Sequence, residues 1–185
     1  MNTRNSGKVP RSRSTSELGL VQIYTGNGKG KTTAALGLAV RACLHGYRVV
    51  FIQFMKGTNY GEDKLSEMIP NFQLEKFGRK EFVDPKNPHP KDLEEAKEAL
   101  KRAKELAEDC DMMILDEINV AIHFGLLDID EVMDFVKNKP KHLELVLTGR
   151  YAPKELIEIA DLVSEVREIK HPYSRGITAR KGIEY

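Results

Sequence analysis

"TGNGKGKTT", residues 25–33, decides the fold class of this chain. The pattern G-x-x-x-x-G-K-[ST] marks a loop whose backbone N–H groups surround phosphate oxygens. Gly30, Lys31 and Thr32 supply the end of that pattern, whereas Thr25 stands where its first glycine is expected. A β-prone run precedes the loop and a helical pattern follows it, so bound phosphates would lie at the positive end of the helix dipole. The stretch therefore predicts a phosphate-binding loop; the alternative is a Gly/Lys-rich turn without a ligand.

The side chains of this loop suggest separate tasks. Lys31 can reach phosphate oxygens as a point charge, and the hydroxyl of Thr32 can bind a divalent cation. We predict that the whole loop binds the nucleotide through Thr25, Gly26, Asn27, Gly28, Lys29, Gly30, Lys31, Thr32 and Thr33.

Strand and helix patterns alternate along the rest of the chain. Apolar runs at 48–54, 111–117, 142–150 and 162–170 have strand character, and helical patterns separate them. Such alternation is typical of a parallel sheet with helices on both faces. We therefore predict an α/β, P-loop NTPase-like fold with a mostly parallel sheet. A single domain over residues 19–185 would follow a flexible Ser- and Arg-rich segment at 1–18.

An acidic pair ends one of the predicted buried strands. Asp116 and Glu117 close the run "MMILDE", where a nucleotide site requires a carboxylate for the phosphate-bound cation. Together with Thr32 they are the predicted ligands of Mg²⁺, or of Mn²⁺ in its place. The alternative is that both acids are solvated and cap the helix that follows.

Composition excludes several classes of function. With 29 basic and 28 acidic residues the net charge is +1, which predicts neither a nucleic-acid nor a membrane partner. No apolar run is long enough for a membrane span or a secretory signal, so we expect a cytoplasmic protein. Cys43 and Cys110 are isolated in sequence, and packing is the simplest role for both.

The motifs alone lead only to binding of Mg·ATP or Mg·GTP. A guanine-reading N/T-K-x-D pattern is missing from the sequence. An ordinary ATPase, a small-molecule kinase and a nucleotide-binding chaperone all stay open at this point.

Four stretches resemble one particular family. "GNGKGKTTAALGLAVRACLHGYRVVFIQFMKG", "LDEINVAIHFGLL", "LVLTGR" and "HPYSRGITARKGIEY" are similar to the P-loop class of corrinoid adenosyltransferases, from about residue 19 to the end of the chain. The resemblance implies transfer of the 5′-deoxyadenosyl group of ATP to the Co(I) of cob(I)alamin or a related corrinoid, with release of triphosphate. It further implies catalytic roles for Lys31 and Glu117 and contact of Arg150 with the nucleotide.

The same resemblance implies residues for the corrinoid and several partners. Phe77 and Phe82 would lie beneath the corrin ring, with Arg41 nearby, although both aromatics could instead pack in the core. His123 is not expected to bind cobalt, since a lower ligand would oppose the mechanism. Members of the family act as homodimers with a reduced flavodoxin-type electron donor, and residues 1–18 could fold over a neighbouring subunit's site.

Overall fold

The computed structural model describes residues 18–58 and 61–184. The predicted flexible segment 1–18 lies outside the described residues, apart from residue 18. Six strands form one sheet: β1 (Val21–Thr25), β2 (Val49–Gln53), β3 (Phe72–Lys76), β4 (Met112–Asp116), β5 (Glu144–Thr148) and β6 (Leu162–Glu165). All strand pairs are parallel, which confirms the predicted α/β class and makes the sheet wholly rather than mostly parallel.

The strand order is β3-β2-β4-β5-β1-β6. Because the strands are parallel, their carboxyl ends meet at one edge of the sheet, where open α/β sheets bind ligands. The loop after β1 therefore lies near the segments that follow β4 and β5. These are the segments that carry the predicted carboxylates and Arg150.

Helices cover both faces of the sheet. They are α1 (Lys31–Leu44), α2 (Leu65–Met68), α3 (Pro90–Leu106), α4 (Ile118–His123), α5 (Ile129–Asn138) and α6 (Lys154–Ile159). Side chains alternate between the faces of a strand, so the sheet builds two cores. Small residues of α1 pack on one face around Phe51 and Ile114, and α3 and α5 pack on the other around Ile52 and Leu115.

Helix α3 begins at Pro90 and buries an apolar stripe, as its sequence pattern predicts. A pairing of Glu98 with Arg102 at i,i+4 spacing is also typical of such a pattern. The structure corrects this detail, since Arg102 donates from Nε to both oxygens of Glu75 on β3, at 3.1 and 2.9 Å. The longer reach ties α3 to the edge strand, while Glu98 accepts from Lys101 instead.

Cys43 and Cys110 are both buried, as packing residues should be. Burial raises the pKa of the Cys43 thiol to about 11 and that of Cys110 to about 12. Neither thiol is therefore a nucleophile near neutral pH. Within the described ranges, no helix is both long and apolar enough to cross a membrane.

Candidate nucleotide site

A cavity of about 530 Å³ opens at the carboxyl edge of the sheet. Nine of the predicted site residues line it, namely Asn27, Gly28, Lys29, Gly30, Lys31, Thr32, Thr33, Glu117 and Arg150. These residues come from three separate places in the sequence. Parallel strand topology brings them together, so the structure supports the interpretation of the loop and acidic motifs as one site.

The glycines of the loop are required by a neighbouring segment of chain. Residues 166–168, here called the strap, continue from β6 and lie directly against the loop. The N–H of Gly28 donates to the carbonyl of Val166 at 2.7 Å. A Cβ atom at Gly26 would lie 2.4 Å from the Val166 oxygen, and one at Gly28 would lie 2.8 Å from the carbonyl carbon of Arg167. Contact with the strap is thus a reason for glycine at these positions besides the predicted approach of phosphates.

Two lysines of the loop have partners within the protein. The buried ammonium of Lys31 donates to the carbonyl of Gly28 at 2.6 Å, and burial lowers its pKa. Lys29 donates to the Glu184 carboxylate at 2.9 Å. Hydrogen bonds from Arg180 and then Lys29 hold the pKa of Glu184 at about 2, so this carboxylate is ionised. An anion from the C-terminal segment therefore contacts a lysine that we predict to bind phosphate.

Asp116 is buried at the end of β4 and accepts four hydrogen bonds. Its Oδ1 accepts from the hydroxyls of Thr32 at 2.8 Å and Thr148 at 2.6 Å. Its Oδ2 accepts from Lys56 at 2.9 Å and Gln53 at 3.3 Å. A carboxylate offers about four lone-pair positions, so these donors occupy it. Asp116 thus positions Thr32 rather than facing the cavity.

Glu117 does face the cavity. Its backbone has φ 66°, which is unusual for a residue with a side chain, and its N–H donates to the hydroxyl of Thr148 at 3.0 Å. Burial, followed by the nearby charge of Asp116, raises the pKa of Glu117. With this backbone, Glu117 lines the cavity beside the phosphate loop, whereas Asp116 does not.

These oxygens fit a magnesium ion shared with phosphates. Among the described residues, no three His, Cys, Asp or Glu side chains form a complete metal cage. Mg²⁺ is usually held by one or two protein oxygens together with substrate phosphates and water. Because the Thr32 hydroxyl donates its proton to Asp116, the lone pairs of its oxygen can coordinate a cation. Glu117 lines the same cavity and could supply a second oxygen ligand.

The remaining predicted residues lie away from the cavity lining. Thr25 and Gly26 begin the loop but contact other segments of the chain. The Thr25 hydroxyl accepts from the N–H of Ala152 at 3.3 Å, and Gly26 lies against Val166. Their assignment to direct ATP binding stays a prediction, as do the catalytic roles of Lys31 and Glu117.

The three predicted corrinoid residues lie outside the cavity lining and differ in burial. Phe77 is partly buried against the core, in line with the packing alternative, whereas Phe82 is fully exposed. Arg41 is exposed near the end of α1, about 15 Å along that helix from Lys31. His123 is exposed and stacks on Tyr151, with ring centroids 4.1 Å apart.

Sequence reasoning assigned no role to several residues that line the cavity. They are Leu36, Lys56, Gly61, Glu62, His171, Gly182, Ile183 and Glu184. Four of them, Lys56, Gly182, Ile183 and Glu184, lie in "QFMKG" and "GIEY", the ends of two stretches that resemble the family. Their placement beside the phosphate loop depends on long-range contacts that local patterns do not contain.

Comparisons with known proteins identify the family of this chain. The family model for "ATP:corrinoid adenosyltransferase BtuR/CobO/CobP" matches residues 17–185. A "Corrinoid adenosyltransferase" of Sinorhizobium sp is 40% identical over 176 residues, covering 92% of this chain and 82% of the relative. The protein of that name from Escherichia coli K12 is 36% identical over 173 residues, covering 91% and 87%. "Corrinoid adenosyltransferase CobA" of Salmonella typhimurium is 35% identical with the same coverage. The chain therefore belongs to the ATP:corrinoid adenosyltransferase family.

Proposed function

We propose that this protein transfers the 5′-deoxyadenosyl group of ATP to the Co(I) centre of a corrinoid and releases triphosphate. The observation that carries the proposal is the cavity, in which cationic side chains and the loop line one continuous space. Co(I) supplies the electron pair of the new cobalt–carbon bond. The C5′–oxygen bond breaks, and its electron pair leaves on the triphosphate.

Positive charge around the phosphates is the chain's contribution to this step. Negative charge grows on the triphosphate as the bond to C5′ breaks, and fixed cations stabilise that charge in the transition state. Lys29, Lys31 and Arg150 line the cavity for this role. The protein needs no general base, since the cobalt nucleophile carries no proton to remove.

We assign Thr32 and Glu117 as the protein ligands of the divalent cation. Asp116 would orient Thr32 by accepting the hydrogen bond from its hydroxyl. When bound, Mg²⁺ or Mn²⁺ would neutralise phosphate charge. The four hydrogen bonds to Asp116 favour this division over direct ligation by Asp116.

For the corrinoid we retain Phe82 as the main candidate. A fully exposed phenylalanine leaves apolar surface in water, and an apolar ligand would cover it. Phe77 and Arg41 remain weaker candidates. A homodimer, a reduced flavodoxin-type donor and a cytoplasmic location belong to the proposal on the family resemblance alone.

The test is an anaerobic assay with chemically reduced cob(I)alamin and Mg·ATP. We expect a light-sensitive alkylcobalamin and one triphosphate for each cobalt–carbon bond formed. Release of ADP with unchanged corrinoid would reject the proposal in favour of an ATPase or kinase. Binding of both substrates without a new bond would instead indicate a corrinoid-delivering chaperone.

A pair of variants links the activity to the site. Lys31→Ala should abolish transfer, because it removes the buried ammonium from the loop. Lys97→Ala is the matched control, since Lys97 is exposed on α3, away from the cavity lining. Equal activity of the two variants would place the reaction elsewhere on the protein.

A further inference from the structure

We propose that Lys56 is a further substrate-binding residue of the reaction, whose ammonium contacts the triphosphate from the segment after β2. The inference rests on the proposed function for its place in catalysis. Its phosphate contact can be tested without turnover.

The backbone at Lys56 is held in a strained and crowded position. Met55 has φ 57°, a left-handed conformation that side chains disfavour. The N–H of Lys56 donates to the carbonyl of Phe77 at 3.0 Å. A Cβ atom at Gly57 would lie 2.3 Å from the carbonyl carbon of Arg79, so this loop packs directly on the next segment. Strain of this kind concentrates at functional sites, where surrounding structure maintains it.

The side chain of Lys56 extends from this loop into the cavity lining. Its ammonium lies 2.9 Å from Oδ2 of Asp116 and 3.9 Å from Oε1 of Glu62. Burial is the largest single effect and lowers the pKa of Lys56, but the charge and hydrogen bond of Asp116, with the charges of Glu62 and Glu117, together outweigh it, and the pKa is raised. Lys56 is therefore a positively charged group at neutral pH.

Asp116 links this lysine to the phosphate loop. One carboxylate oxygen accepts from Thr32 and the other accepts from Lys56. The carboxylate therefore fixes the position of the ammonium relative to the hydroxyl that we assign to the cation. Lys56 approaches the cavity from β2, whereas Lys31 approaches from α1. A polyphosphate between them would be held from two directions.

The test measures binding of inorganic tripolyphosphate by calorimetry, with the full chain and no corrinoid. Lys56→Gln should weaken binding about tenfold or more, as expected for loss of a charge-assisted hydrogen bond, and Lys56→Arg should restore part of the affinity. Lys76→Gln is the matched control. Lys76 is 20% exposed against 17% for Lys56 and pairs with Asp63, but it lies outside the cavity lining. We expect Lys76→Gln to change the affinity less than about twofold.

Amine acetylation of the unmutated protein covers the case in which Lys56→Gln does not fold. Tripolyphosphate should protect Lys56 from acetylation and leave Lys76 unprotected. Unchanged affinity of folded Lys56→Gln, equal losses in the two Gln variants, or absent protection would overturn the proposal. Failure of adenosyl transfer with these binding results intact would reject only the proposed function. Transfer without any Lys56 effect would reject only this inference.

Discussion

Thr148 joins the two acidic residues of the site, so replacing it tests the network directly. Its hydroxyl donates to Asp116 at 2.6 Å and accepts from the N–H of Glu117 at 3.0 Å. Thr148→Val keeps the shape and removes both bonds. Losing a bond to a buried carboxylate costs about 2 kcal/mol, and an N–H left unpaired at a partly exposed residue costs about 1 kcal/mol. The free energy of unfolding should fall by about 3 kcal/mol.

Thr148→Ser is the control, since it retains the hydroxyl and loses one buried methyl group at about 1 kcal/mol. Equilibrium urea denaturation gives both values, and thermal midpoints should fall by about 6–12 °C for Val and about 2–4 °C for Ser. Equal losses for Val and Ser would refute the reasoning, because packing and not hydrogen bonding would then decide the stability.

Four other predictions concern the ligands and the core. Phe82→Ala should leave the free energy of unfolding within about 0.5 kcal/mol of the original and weaken corrinoid binding about tenfold. Phe77→Ala, which empties part of the core, should cost about 2 kcal/mol in a denaturation experiment. Glu184→Gln removes an anion from Lys29, so the KM for ATP should fall about two- to fivefold, whereas a rise would mean that Glu184 binds the substrate. The pKa of Glu117 is raised, so Glu117 should take up a proton and lose its hold on Mg²⁺ at a pH above the ordinary glutamate value of about 4.3. Binding of ATP, measured against pH, should lose its strengthening by Mg²⁺ in that range. Glu117→Gln, titrated in parallel, should show no such pH-dependent loss.

Local patterns predicted much of the fold. The loop at residues 25–33, the helix after it and the buried strand ending at Asp116 each follow from short-range rules, and the structure has them. The separate roles of Asp116 and Glu117 were not predictable. They depend on a left-handed turn at Glu117 and on donors from three other segments of the chain.

The cavity residues outside the loop were also not predictable from local sequence patterns. Lys56 follows a strand in a loop-like stretch, and its direction depends on contact with the segment at residues 77–79. Glu184 lies far along the chain from Lys29, and only the folded topology places the two together. Predictions from local sequence patterns miss such pairs, because no periodicity relates residues so far apart in the chain.

The strap implies that the glycine-rich loop and residues 166–168 have to evolve together. Asn27 accepts a hydrogen bond from the N–H of Glu168, 141 positions away, and Gly28 bonds to Val166. A motif of nine letters is thus completed by residues from the last tenth or so of the chain. A chimaera that receives the loop alone would have its sequence but would lack the backbone contacts that fix its conformation. Residues 25–33 and the strap would have to be exchanged together.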